Sequence, residues 1–181
     1  MKYFVASDIH GSYEFAKIMT DRFALENADK LILLGDLYYH GPRNSLPSGH
    51  SPMDTAKLLN QFKDKIICVQ GNCDAEVDKM ISEFEFFPHF QLNLKDKHFF
   101  FSHGDRYNAS SPPSIHFDIL ITGHEHIGYI KKSDDNKIFA NCGSVSLPKS
   151  NSDHSYIVIE NNTIFLKSLT NNSIIQQINF N

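Results

Sequence analysis

The chain has 181 residues, 41% hydrophobic and 21% charged, ordinary for a globular protein and long enough to bury a substantial core as one domain over 1–181. Lys and Arg total 17 against 21 Asp and Glu, a net charge of −4, which excludes the basic excess that a nucleic-acid surface or an anionic membrane calls for. Small phosphorylated substrates stay admissible, because metal ions can supply positive charge locally, and no apolar run approaches the ~18 residues of a membrane span.

Residues 2–7 (KYFVAS) predict a first strand, closed by Asp8-Ile9-His10-Gly11. Ser12 can cap a helix whose Phe15, Ile18, Met19 and Phe23 share one face. Lys30 to Leu34 predict a second strand, which stops at Gly35-Asp36. Residues 37–51 carry Gly41, Pro42, Pro47, Ser48 and Gly49 without periodicity and read as a loop. Ser51-Pro52 starts a helix that runs to about Phe62 and buries Ala56, Leu59 and Phe62.

A third strand, Lys65 to Val69, meets Gly71-Asn72-Cys73-Asp74, and a short helix follows through Ile81. Strand and helix in alternation predict a parallel α/β sheet whose carboxyl strand ends collect in one crevice. After Pro88 the pattern turns to strand: a hairpin of Phe90 to Leu94 with His98 to Ser102, then Phe117 to Thr122, Tyr129 to Lys132 and Ile138 to Ala140. Between them, residues 105–116 read as a polar, proline-containing connection with room for one helical turn. The tail reads as a meander over 155–160, 163–169 and 173–180 that completes the second sheet or buries an edge against a partner. Its Asn161-Asn162 and Asn171-Asn172 pairs suit the positive φ of tight turns.

Five polar clusters each follow an apolar run: Asp8-Ile9-His10, Gly35-Asp36, Gly71-Asn72, Ser102-His103-Gly104 and Gly123-His124-Glu125-His126. Any one Asp or His among them could be a cap or a core residue. Together Asp8, His10, Asp36, Asn72, His103, His124 and His126 form a mixed oxygen and nitrogen set suited to divalent first-row metals. Seven ligands exceed one ordinary site and match two ions that share a carboxylate.

The ordered motifs Ser7-Asp8-Ile9-His10-Gly11, Gly35-Asp36-Leu37, His40-Gly41-Pro42-Arg43-Asn44, Gly71-Asn72-Cys73-Asp74, Ser102-His103-Gly104, Gly123-His124-Glu125-His126 and Gly143-Ser144-Val145-Ser146-Leu147-Pro148 resemble the calcineurin-like metallophosphoesterase superfamily, and within it the small YfcE-type phosphodiesterases. The resemblance covers residues 3 to about 148. It implies an α/β class fold, a four-layer α/β/β/α sandwich with a dimetal site at the carboxyl strand ends. It places one ion on Asp8, His10, Asp36 and His126 and the other on Asp36, Asn72, His103 and His124, with Asp36 bridging. The ions it implies are Mn, with Zn, Fe, Ni, Co or Mg as alternatives. The expected reaction is hydrolysis of a small phosphodiester by direct attack of a metal-bridging hydroxide. A phosphomonoesterase on the same site and a non-catalytic scaffold, like the retromer subunit of this fold, are the competing functions.

Many superfamily members carry histidine where this chain has Cys73, as YfcE-type enzymes do. A neutral thiol is a weak donor, so turnover should be slow with poor leaving groups. Asn72, Cys73 and Arg43 are the candidate catalytic residues: Asn72 holding a phosphoryl oxygen, Cys73 making room for substrate, and Arg43 clamping a phosphate. His40 shares the Arg43 loop and is either a substrate contact or a solvated ring. Asp74 is expected to orient a metal-binding histidine. Cys142 is expected to be a buried structural thiol. His50, His89, His98, His116 and His154 match no motif and are read as structural or surface residues. Cys68, Cys73 and Cys142 are an odd number, and residues 3–6 are too short for a signal-peptide core. A cytoplasmic, soluble protein is expected, as a monomer or a homo-oligomer.

Overall fold

The computed structural model describes residues 1–180. Its elements are β1 (Tyr3–Ala6), α1 (Tyr13–Leu25), β2 (Lys30–Leu33), α2 (Pro52–Asn60), β3 (Ile66–Val69), α3 (Glu76–Ile81) and β4 (Phe86–Phe87). Then follow β5 (Phe90–Leu94), β6 (Lys97–Phe101), β7 (Ile119–Thr122), β8 (Gly128–Lys132), β9 (Ile138–Cys142), β10 (Ser155–Glu160), β11 (Thr163–Ser168) and β12 (Ile174–Asn179).

Two sheets stack. The first has the order β12-β11-β10-β1-β2-β3-β4 and the second β5-β6-β7-β9-β8. Strands β1 to β4 run parallel, as the strand–helix alternation requires, and β6, β7 and β9 are parallel in the second sheet. The C-terminal meander extends the first sheet, with β10 antiparallel to β1. The expectation that it completes the second sheet is thereby corrected.

Alternation along the strands sorts side chains between two layers. Phe4, Ala6, Leu31 and Leu33 face α1 and α2, where Met19, Phe23 and Leu59 are buried. Tyr3, Val5, Ile32 and Leu34 face the second sheet and meet Phe99, Phe101, Ile119 and Ile121. Burial contributes ~1.5–3 kcal/mol for each such large side chain. Ser12 caps α1 through its hydroxyl, which accepts the Phe15 N–H. Phe62 packs on the same cluster although α2 ends two residues before it; Phe62 precedes a separate 3₁₀ turn over Lys63–Lys65.

Three sequence expectations need adjustment. The two-residue β4 is absent from the sequence reading, because so short a run has no readable period. Residues 105–116 hold no helical turn, consistent with the pair Pro112-Pro113 and its lack of backbone donors. This irregular segment brings Tyr107 against Phe100, and Phe117, the residue that follows it, against Phe139 in a small cluster with Phe100 and Leu120. The hairpin turn is the two-residue Lys95-Asp96, with Lys95 at positive φ, so β6 begins one residue earlier than expected.

Candidate active site

The carboxyl ends of β1, β2, β3, β6 and β7 open onto one edge of the sandwich. The loops there are knitted by backbone: Asp8 N–H donates to Gly35 O (3.1 Å), His10 N–H to Asp36 O (2.9 Å) and Gly11 N–H to Leu37 O (2.8 Å). Asp8, His10, Asp36, His124 and His126 all have positive φ, between 50° and 69°. Non-glycine residues there cost ~1–3 kcal/mol each and cluster at functional sites, where the surroundings over-determine them. The effect is to turn each side chain sharply inward at the end of its strand.

Asp74 is one of the groups that impose this geometry. Its carboxylate accepts the N–H groups of Asp36 (2.9 Å), Leu37 (2.8 Å) and Gly71 (2.7 Å). Asp74 therefore pins two loops together and hydrogen-bonds no histidine, which corrects the expectation from sequence. Burial pushes its carboxyl up to about 6, while the three amides pull the other way. Gly71 has to be glycine, because a Cβ there would lie 2.2 Å from Asp36 Oδ1. Gly123 is likewise constrained, with Ser7 Oγ 2.2 Å from the place of its Cβ.

The imidazoles are oriented by main-chain carbonyls. Nδ1 of His10 is 2.7 Å from Tyr39 O, Nδ1 of His103 is 2.6 Å from Leu34 O, and Nδ1 of His126 is 2.6 Å from Leu147 O. A carbonyl can only accept, so each Nδ1 carries the proton and each Nε2 keeps a lone pair in the neutral ring. These lone pairs converge. His10 Nε2 lies 3.2 Å from His126 Nε2, and both approach Asp8 Oδ1, at 3.5 and 3.2 Å. Asp8 Oδ1 is buried and receives no hydrogen bond. Nearby, His103 Nε2 lies 3.0 Å from Asn72 Oδ1, 3.1 Å from His124 Nδ1 and 3.5 Å from Asp36 Oδ2.

Acceptors pressed this close repel one another unless a cation joins them. The donor groups fall into two sets, Asp8–His10–His126 and Asp36–His103–His124, with Asp36 Oδ2 3.9 Å from His10 Nε2 at their junction. A set of imidazole nitrogens and carboxylate oxygens, with His10, His103 and His126 each donating the other ring N–H, fits divalent first-row metals. The electrostatics agree. Burial would raise both carboxyls, yet the neighbouring imidazoles hold Asp8 well below the ordinary range and Asp36 below it. Burial would lower His103, yet Asp36 and Asp8 lift it to about 10. The site favours positive charge.

Above these groups lies an open cleft of about 640 Å³, with Asn72, Cys73 and His124 on its floor and Arg43, Glu125 and Lys149 among its walls. A second depression, about 300 Å³, is lined by Gln70, Asn72, Asp105 and Arg106 and shares Asn72 with the first.

The model of the calcineurin-like phosphoesterase superfamily domain matches residues 1–163. The chain belongs to the calcineurin-like phosphoesterase superfamily. It is 38% identical to phosphodiesterase YfcE of Escherichia coli K12, across 100% of this chain and 99% of that protein. The solved structure of that E. coli phosphoesterase superposes with a TM-score of 0.96 at 36% identity, covering all of both chains. Vps29 of Entamoeba histolytica, solved with zinc, shares the fold at a TM-score of 0.62 and 20% identity over the full length of both chains.

In this phosphoesterase all seven sequence-predicted ligands reach the one edge, and Arg43 and Cys73 line the cleft beside them. Cys73 N–H donates to Asp36 Oδ1 (2.8 Å), and burial, then the Asp36 charge, pushes its thiol up to about 12. His40 turns away from the cleft, its ring against Tyr39 and His50. Cys142 is fully buried. Sequence reasoning missed Lys149, whose N–H donates to His126 O (3.0 Å) and which follows Pro148 directly. Asn141, which begins a segment (Asn141-Cys142-Gly143-Ser144) that resembles a family segment but to which the sequence assigned no role, braces the His124 loop by donating from Nδ2 to Gly123 O (2.7 Å) and accepting the Gly143 N–H (2.9 Å). Its signal is weak: one polar residue inside the otherwise apolar β9.

Proposed function

We propose that this chain is a divalent-metal-dependent phosphodiesterase acting on small phosphodiesters. One observation carries the metal site: His10 and His126, locked with Nε2 inward by main-chain carbonyls, face Asp8 Oδ1, a buried carboxylate oxygen without a donor, and His103, locked the same way, faces Asp36. One ion would be held by Asp8, His10, Asp36 and His126, and a second by Asp36, Asn72, His103 and His124. Mn is the proposed metal, consistent with the mixed oxygen and nitrogen donors. When bound, such ions supply Lewis acidity toward phosphoryl oxygens and a water of lowered pKa.

The protein's own groups bind and orient. Asn72 reaches the junction of the two depressions, where its amide can hold a phosphoryl oxygen. Arg43 and Lys149 present positive charge from the cleft walls to a phosphate or its anionic substituent. A phosphodiester carries two arms that leave phosphorus in different directions. Two depressions meeting at Asn72 provide for both, which supports a diester over a monoester. Cys73 contributes space. The similar E. coli protein is named a phosphodiesterase, which supports the same reading. We take residues 1–181 as one domain and the cytoplasm as its location. Among the described residues no helix is long and apolar enough to cross a membrane.

The test is hydrolysis of an activated aryl phosphodiester and the matching monoester, with and without Mn, beside Asp36→Asn. Metal-dependent turnover that is faster on the diester and lost in the variant is expected. A faster monoester would make the enzyme a phosphomonoesterase. Silence with every divalent ion would point to a scaffold.

A further inference from the structure

The amino ends of β6 and β7 lie at the opposite pole of the second sheet from the candidate active site. His98, in β6, lies five positions before His103, which follows the strand, roughly 15 Å of extended chain. At this pole one ring nitrogen each of His98 and His116 and a carboxylate oxygen of Asp118 lie within 4.8 Å of one another. The two rings are 4.8 Å apart, centre to centre, and nearly perpendicular. His116 Nε2 stands 3.8 Å from Asp118 Oδ2.

The cluster is held by main chain and by a neighbour. Asp118 Oδ2 accepts the His98 N–H (2.8 Å), and the Asp118 N–H donates to His98 O (2.9 Å). Asn93, the cross-strand partner of His98 in the β5–β6 hairpin, places Oδ1 2.9 Å from His98 Nδ1. That contact selects the tautomer with the proton on Nδ1 and leaves a lone pair on the other ring nitrogen. An imidazole that donates one N–H to a carbonyl oxygen is the usual state of a metal-binding histidine. The His116 side chain is 69% exposed, so packing gives no reason for its place beside His98.

We propose that His98, His116 and Asp118 form a separate surface site for a divalent transition ion such as Zn, Ni or Cu. Two imidazoles and one carboxylate are a donor set for such ions, with water in the remaining positions. Lys97 and Lys132 line the shallow depression beside Asp118. Their charge sets the affinity below that of the more acidic, buried set at the other pole. Because the two sets share no residue, the surface site stands whether or not the phosphodiesterase proposal does.

Equilibrium dialysis against Zn, with bound metal counted by elemental analysis, tests this on the intact protein. The His98→Ala/His116→Ala double variant is expected to bind one equivalent less than the wild type, with Tm in EDTA and diester hydrolysis unchanged. His116→Gln alone, at a solvent-facing ring, is expected to lose the same equivalent. Asn93→Ala should weaken that equivalent by ~10–100-fold. Equal isotherms for wild type and both histidine variants would overturn the site, as would an extra equivalent that appears only at millimolar Zn.

Discussion

Replacing Asp74 with asparagine removes the anion on which the Asp36, Leu37 and Gly71 amides converge. Hydrogen bonds to a charged acceptor contribute ~1.5–3 kcal/mol each, and a buried amide left unpaired costs a further ~1–3 kcal/mol. The asparagine oxygen can keep one or two of the three donors, while its NH₂ group then faces the remaining N–H. A loss of about 1–3 kcal/mol follows, because the three contacts share one acceptor and the cost of burying the anion, which raises its carboxyl to about 6, offsets part of them. For a domain of this size that is a drop in Tm of roughly 2–12 °C. Thermal unfolding in EDTA at pH 8, where Asp74 is ionised, isolates this contribution from metal binding. Metal affinity should fall as well, since Asp36 and Asn72 sit on the loops that Asp74 ties. A variant with unchanged Tm in EDTA but no metal binding would refute the loop-pin reasoning and make Asp74 a ligand.

Glu26 offers a pH prediction far from the cleft. Burial would raise its carboxyl, but Lys167, Lys2 and the Tyr156 hydroxyl hold it down at about 2 against an ordinary 4.5. A depressed carboxyl stabilises the fold fully above about pH 4.5 and loses that contribution as pH falls toward 2, here about 3 kcal/mol. Urea unfolding of Glu26→Gln at pH 6 and pH 3 should show a shallower pH dependence than the wild type, and parallel curves would count against the assignment. Gly71→Ala drives a methyl group to 2.2 Å from Asp36 Oδ1, so Mn binding should weaken at least ~10-fold, read by calorimetry; unchanged affinity would contradict the close approach. Cys73→His adds an imidazole beside Asn72 and should raise turnover with poor leaving groups by ~10²-fold, measured across a series of aryl diesters. A gain of the same size on activated esters would speak against leaving-group protonation.

Much of the site is legible in the sequence, for a physical reason. Asp8, Asp36, Asn72, His103 and His124 each follow a short apolar run, and buried parallel strands have to end where polar groups can meet solvent or ligand. The order of those runs then determines which edge they share. The expectation for Asp74 failed because its partners are backbone amides. Every residue carries one, so nothing in the sequence marks the amides of Asp36, Leu37 and Gly71 as its targets.

Residue order alone dictates the alternation that builds two β layers, the identity of the donor atoms and the short helices that carry β1 into β2 and β2 into β3. How those donors stand is a matter of tertiary contacts: five residues at positive φ, three imidazoles turned by the carbonyls of Leu34, Tyr39 and Leu147, and Lys149 brought to the cleft wall. The same contacts join His98 to His116 across 18 positions of chain that show no common pattern. Periodicity records which face of an element is apolar. The contacts that aim a side chain are made between loops and main-chain groups far apart in sequence, and these acquire an identity only once the chain has folded.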